Sequence, residues 1–276
     1  MHCFIKTMSQ SSNKFIKSMS QINHLPQTIQ KALQEKSLLK VISGLNNFDI
    51  RSVEMITKAA SLGGADMVDI ASSPMLVEKA KDVASLPICI SSVEPKSFID
   101  SVKAGASMIE IGNYDSFYKK GITFSPKQIL DLTKETKDLL PEIPLSVTVP
   151  HNIHLDKQVD LSVKLFYEGV TIIQTEGGTS SLAYSAGIKG LIEKATPTLS
   201  STYAIKKEFA RCSINMPIMT ASGLSEVTAP FAIASGASAV GVGSAINKIN
   251  DLLSMIAAVR GLRESLTNSL IQEKIF

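Results

Sequence analysis

The chain has no tryptophan, aromatic residues make up 5% of it, and cysteine occurs three times, at Cys3, Cys89 and Cys212. The cysteines lie far apart with no CxxC spacing, which argues against a disulfide framework and for reduced thiols in a reducing compartment. No apolar run approaches the roughly 20 residues that a membrane-spanning helix needs. Arginine is scarce: Arg51, Arg211, Arg260 and Arg263 are all there is, and the other 24 of the 28 basic residues are lysine. Such a bias hints at AT-rich or organellar coding. Acids are missing altogether before Glu35, so Lys6, Lys14, Lys17 and Lys31 account for the net charge of +3. The remainder is nearly balanced, which argues against a nucleic-acid surface.

The acid-free stretch 1–34 is rich in Ser, Lys, Gln and Asn. That composition is expected of a disordered arm or a transit-like extension outside the fold. The remaining residues, 35–276, are long enough for one large core, and barrels of roughly 250 residues fold as single units.

Within that span, eight short apolar strands alternate with helical segments: Leu39–Ser43, Met67–Ala71, Ile88–Ser91, Met108–Ile111, Leu145–Val149, Ile172–Thr175, Ile218–Ala221 and Ala239–Val242. They are β-branched and nearly continuous in apolar character, as strands buried on both faces of a parallel sheet should be. Helix starts separate them. Ser73-Pro74 and Ser125-Pro126 place a hydroxyl before proline at a first helical position, and Asp49 and Asp156 read as caps. A repeat reinforces the pattern: Gly64-Ala-Asp-Met-Val-Asp-Ile70, Gly105-Ala-Ser-Met-Ile-Glu-Ile111 and Gly236-Ala-Ser-Ala-Val-Gly-Val242 run alike, and Gly169 precedes strand six in the same way. A glycine ending a helix before each even strand suits repeated βαβα units. The fold class is therefore α/β, a single (β/α)8 barrel. An open doubly wound sheet is the runner-up, and closure is favoured because it removes sheet edges.

Barrel active sites sit at the C-terminal ends of the strands. Those ends offer Lys40 and Ser43–Asn47 on strand one, Asp69 and Ser72 on strand two, Ser91 and Ser92 on strand three, Glu110 and Asn113 on strand four, Thr148 and His151 on strand five, and Gln174, Thr175 and Glu176 on strand six. Lys40, Asp69, Glu110 and Glu176 are the candidate catalytic groups, a polar set suited to proton transfer on a small molecule. Asp69 and Glu110 alternate with apolar residues and so should point into the barrel, where a structural salt bridge to Lys40 is the alternative. Lys40 as a Schiff-base nucleophile is a weaker reading. His151 and His154 lack a third ligand at a metal-binding spacing, so no metal is assigned.

The loops after strands seven and eight carry Ser222-Gly223 and Gly241-Val-Gly243-Ser244. In barrels these loops commonly cradle phosphate, because glycine admits an anion to the backbone and helix-opening N–H groups point at it. Gly177-Gly178 after strand six likewise implies a sharp turn or ligand contact. Gln174, Gly177, Gly178, Ser222, Gly223, Gly241, Gly243 and Ser244 are thus the candidate ligand-binding residues.

Lys40-Val-Ile-Ser-Gly-Leu-Asn-Asn-Phe-Asp49, Gln174-Thr-Glu-Gly-Gly-Thr-Ser180 and Ala221-Ser-Gly-Leu-Ser-Glu-Val-Thr-Ala-Pro230 resemble a barrel family of cyanobacteria and algal plastids, the hypothetical chloroplast reading frame twenty-three proteins. The likeness spans essentially 38–266 and implies a plastid (chloroplast) or cyanobacterial setting. A looser resemblance runs to FMN-binding barrels, where a glutamine, an acid, paired glycines and a histidine follow strand six; here Thr179 stands in the histidine's place. The leading expectation is an enzyme acting by acid/base chemistry on a phosphorylated small molecule. FMN-dependent oxidoreduction is the alternative, and a non-catalytic ligand sensor or partner protein the third.

Overall fold

The computed structural model of the chain describes residues 22–112, 114–118, 120–177 and 183–273. Eight strands close into one parallel barrel in sequence order, each hydrogen-bonded to the next and the eighth to the first. They are β1 (Leu38–Gly44), β2 (Met67–Ala71), β3 (Ile88–Ser92), β4 (Met108–Ile111), β5 (Leu145–Val149), β6 (Ile172–Thr175), β7 (Ile218–Ala221) and β8 (Ala239–Val242). The barrel expected from the strand alternation is the one found, with strand limits within a residue of those read from the apolar runs.

The helices are α1 (Gln27–Gln34), α2 (Ile50–Gly63), α3 (Pro74–Val83), α4 (Phe98–Lys103), α5 (Asp115–Tyr118), α6 (Pro126–Leu139), α7 (Leu155–Tyr167), α8 (Gly187–Arg211), α9 (Ala229–Ala234), α10 (Ser244–Asn247) and α11 (Leu252–Glu273). The four repeat glycines, Gly64, Gly105, Gly169 and Gly236, have φ of 87°, 114°, 83° and 106°. A left-handed residue ends the helix and turns the chain into the next strand, and only glycine adopts it without steric cost. Asp49 caps α2 by accepting from the Ser52 amide, and Ser125 and Gln128 form a capping box on α6. Ser73 makes no side-chain cap bond. Asp156 is not the cap of α7: helical geometry begins at Leu155, His154 occupies the cap position, and Asp156 falls in the first turn. There its charge still complements the positive end of the helix.

The side chains between barrel and helices form one large apolar cluster. A second, smaller cluster fills the bottom of the barrel: Leu38, Met67, Cys89, Met108, Ile172, Met219 and Ala239 from the strands, and Leu25, Ile29, Ala32 and Leu33 from α1 and its approach. The acid-free stretch therefore does not end outside the fold at residue 34. Its last ten residues or so close the barrel floor, because Ile29, Ala32 and Leu33 share one face of a helix and have the exposed ends of the inner strand residues to cover. The far end of the chain is tied to the same seam: Arg263 on α11 donates to the carbonyls of Ser37 and Gly64 and pairs with Asp66.

Ile29 is completely buried in that floor. Truncation to alanine leaves a cavity beneath the strands, a change that costs about 2–5 kcal/mol. Chemical denaturation of Ile29→Ala is expected to show a loss in that range, and an unchanged midpoint would mean that α1 does not seal the barrel.

Candidate functional site

Side chains along a strand alternate between faces, so every second residue of the barrel points inward. Lys40 of β1, Asp69 of β2, Ser91 of β3, Glu110 of β4, Ser146 and Thr148 of β5 and Gln174 of β6 meet there above the apolar floor, each essentially without solvent exposure. The Lys40 Nζ donates to Glu110 Oε2 at 2.6 Å, and the Ser146 hydroxyl donates to the same oxygen at 2.8 Å. Gln174 Nε2 donates to the other carboxylate oxygen at 2.7 Å and to Thr148 Oγ1 at 3.0 Å. Asp69 accepts from Ser91 at 2.5 Å.

Burial would lower the Lys40 pKa, but the charge of Glu110, helped by Cys89 and Asp69, outweighs it, and the value is raised. Lys40 is thus held as an ammonium, whereas a Schiff-base lysine must reach its neutral amine. The Schiff-base reading falls. Burial pushes Asp69 up to about 7, with Glu110 adding to the rise and Lys40 opposing it. Burial, then the neighbouring Asp69, also raises the Cys89 thiol.

Lys40, Asp69 and Glu110 were expected at the rim with Glu176. They lie a layer lower, because they occupy early or middle positions of their strands, and they do not line the pocket above. Glu176, directly after β6, does. Its Oε1 accepts from the Tyr118 hydroxyl, from the His151 amide at 3.1 Å, and lies 3.1 Å from His151 Nδ1. The Tyr118 and His151 rings meet edge to face. Burial and the adjacent Glu176 hold both Tyr114 and Tyr118 above the ordinary phenol range, so both phenols keep their protons.

The pocket has a volume of about 540 Å³ including its open mouth. One wall is Gln174, Glu176 and Asp115. The rest of the lining is the β7–α9 loop, Ala221–Leu224, and the β8–α10 loop, Gly241–Ala245, with Ile42 beside them. Ser222 and Gly223 both take left-handed φ, 73° and 74°. For serine that conformation is uncommon and costs of order 1 kcal/mol, a strain that clusters at ligand sites. A Cβ on Gly223 would stand 2.4 Å from the Lys194 carbonyl oxygen, so glycine is required there. Among the described residues, no acceptor meets the backbone N–H groups of Gly223, Leu224, Gly243, Ser244 or Ala245. Asn247 donates to the carbonyls of Ile42 and Ser43 and so pins the β8 loop to the β1 loop.

The structure thus brings Gln174, Glu176, Ser222, Gly223, Gly241, Gly243 and Ser244 around one cavity. Gly177 follows Glu176 at the mouth of β6, and Gly178 lies outside the described residues. Asp115 and Tyr118 were not anticipated. They sit on a four-residue helix, too short to show a period, and the one available signal was their place after β4. Asp115, His151 and Glu176 bring a ligand atom each within 4.8 Å of one another, close enough to hold a cation; His154 takes no part.

A family model described as "Protein of unknown function (DUF561)" matches residues 22–272. "Uncharacterized protein ycf23" of Cyanophora paradoxa is 43% identical over 229 residues, covering 83% of this chain and 92% of the relative. The protein of the same name from Pyropia yezoensis is 36% identical over 246 residues, covering 86% and 88%. Among solved structures, (S)-3-O-geranylgeranylglyceryl phosphate synthase from Thermoplasma acidophilum in complex with sn-glycerol-1-phosphate superposes with a TM-score of 0.59 at 13% identity, over 87% of this chain and 98% of that one. At that identity the likeness is one of fold.

The buried Asp69 makes a prediction about pH. An unfolded Asp69 titrates near its ordinary 3.8, and the folded one near 7. Between those values the folded state keeps a proton that the unfolded state has released, so this residue's contribution falls as pH rises through about 4 to 7 and is flat beyond. The difference in unfolding free energy between wild type and Asp69→Asn is therefore expected to shift in favour of the variant by a few kcal/mol over that window. Parallel stability curves for the two proteins would contradict the assignment.

Proposed function

For this chain, which belongs to the DUF561 family, the ycf23 proteins of plastids, we propose that the pocket binds a phosphorylated small molecule with its phosphate on the loops after β7 and β8 and that Glu176 moves a proton on it. The observation that carries the reading is the row of unclaimed amides in those loops. Gly223, Leu224, Gly243, Ser244 and Ala245 line a cavity and have no protein acceptor among the described residues. Loop amides left without a protein acceptor around one cavity are free to donate to a ligand, and an anion with several oxygens can satisfy several at once.

Glu176 is the lining group best placed for acid/base work. It lies within hydrogen-bond reach of His151 Nδ1, so a proton taken from the ligand has a route onward. Lys40, Asp69 and Glu110 serve this reading from below: they set the electrostatics of the wall and orient Gln174 without touching the ligand. The solved barrel with bound sn-glycerol-1-phosphate shares the fold, which supports a phosphoester as the ligand class and does not choose the reaction. A flavin mononucleotide belongs to the same class by its phosphate and enters the same binding panel.

A charge change tests the cradle without harming the fold. Ser244 lines the pocket, is exposed, and opens α10; an acid at the start of a helix is tolerated or favourable. Ser244→Asp is expected to keep the melting temperature of wild type and to weaken inorganic phosphate and phosphoester binding about tenfold or more, read by calorimetry. Equal affinity in the two proteins would move the anion elsewhere.

A further inference from the structure

Gln174 is almost fully buried and is half satisfied. Its amide nitrogen donates to Glu110 Oε1 and Thr148 Oγ1, while its carbonyl oxygen has no hydrogen-bond partner among the described residues. The usual ambiguity over which end of a glutamine amide is which is removed here by chemistry. A carboxylate accepts and cannot donate, so the end facing Glu110 must be the nitrogen. Glu110 is itself held by Lys40 and Ser146 and cannot swing away. The carbonyl oxygen is thereby fixed as a lone acceptor on a residue that lines the pocket beside Glu176. Buried acceptors are rarely left unmet in folded proteins, and one kept so at a cavity is reserved for something that enters it.

We infer that the ligand carries, besides its phosphate, a hydroxyl or amine that donates a hydrogen bond to the Gln174 carbonyl, which makes Gln174 the residue that selects hydroxylated or aminated phosphoesters over plain alkyl or aryl ones. The inference rests on the phosphate reading above for the other end of the molecule. A metal ion is the rival occupant of an acceptor-lined wall. It is the poorer fit, because Glu176 Oε1 is already met by the Tyr118 hydroxyl and the His151 amide, and the carboxylate is compensated without a cation. What is missing at Gln174 is one donor.

Full-length wild-type protein is titrated calorimetrically with inorganic phosphate, with a graded series of n-alkyl phosphates, and with the ω-hydroxy and ω-amino counterpart of each. The expected result is that, at the chain length spanning cradle to Gln174, a donor-bearing member binds about tenfold or more tightly than its methyl-ended isostere, as discrimination by an unpaired buried polar group implies. The hydroxy and amino arms distinguish the two donors. In Gln174→Met, of similar length and without an acceptor, the preference is expected to shrink to about twofold or less. Should that variant fail to fold, the wild-type series alone decides. Equal binding of methyl-ended and donor-ended phosphates overturns the role of Gln174 and leaves the cradle standing. No binding of any phosphate overturns both. Binding of Mn²⁺ alone, abolished in Gln174→Met, with no preference among the phosphates, overturns the inference in favour of a cation.

Discussion

The ion pair between Lys40 and Glu110 is the constraint on which the upper half of this barrel depends. Two opposite charges stand 2.6 Å apart without solvent. Such a pair gains little net stability over apolar residues of the same shape, and losing one partner is costly because the other is stranded. Its value here is directional. Glu110 spends its two oxygens on Lys40, Ser146 and Gln174, and every one of those bonds fixes a side chain on a different strand. Asp69, a short step away, is kept near neutral by burial and by the same carboxylate, so the layer avoids holding two full negative charges beside a single lysine.

Above that layer the molecule changes character. The lower barrel is packed by methionine, isoleucine and leucine and closed by α1, which leaves no room for a ligand from below. The upper end opens between a wall of acceptors, Gln174, Glu176 and Asp115, and a wall of backbone donors from the loops after β7 and β8. A ligand that is anionic at one end and hydrogen-donating at the other suits that polarity. The left-handed backbone at Ser222 and the obligatory glycine beside it belong to the same loop, where the chain turns sharply on leaving β7.

Much of this was legible in the chain. Eight apolar runs and the recurring glycine before each even strand define the barrel, because both follow from local geometry: buried parallel strands must be apolar, and the helix-to-strand turn must be left-handed. That the loops after β7 and β8 line the pocket was legible for the same reason, through Gly223, Gly241 and Gly243. Four features were not. Alternation showed that Asp69 and Glu110 point inward but not how deep, since depth is set by strand stagger, which one strand does not encode. The floor helix was hidden because the acid-free composition of residues 1–34 outweighed the short run Ile29, Ala32, Leu33. Asp115 and Tyr118 reach Glu176 and the pocket from a single helical turn, where no periodic signal exists. The orphaned oxygen of Gln174 depends on contacts to β4 and β5 and could not be inferred from its neighbours in sequence.

The account stands or falls on whether the two glycine loops receive an anion. The most direct measurement is an anomalous-scattering map from crystals soaked in tungstate, a heavy analogue of phosphate. The account predicts one tungstate seated between Gly223–Leu224 and Gly243–Ala245 and held by their main-chain amides. Ordered tungstate elsewhere, with that corner bare or filled by the protein's own side chains, would contradict it.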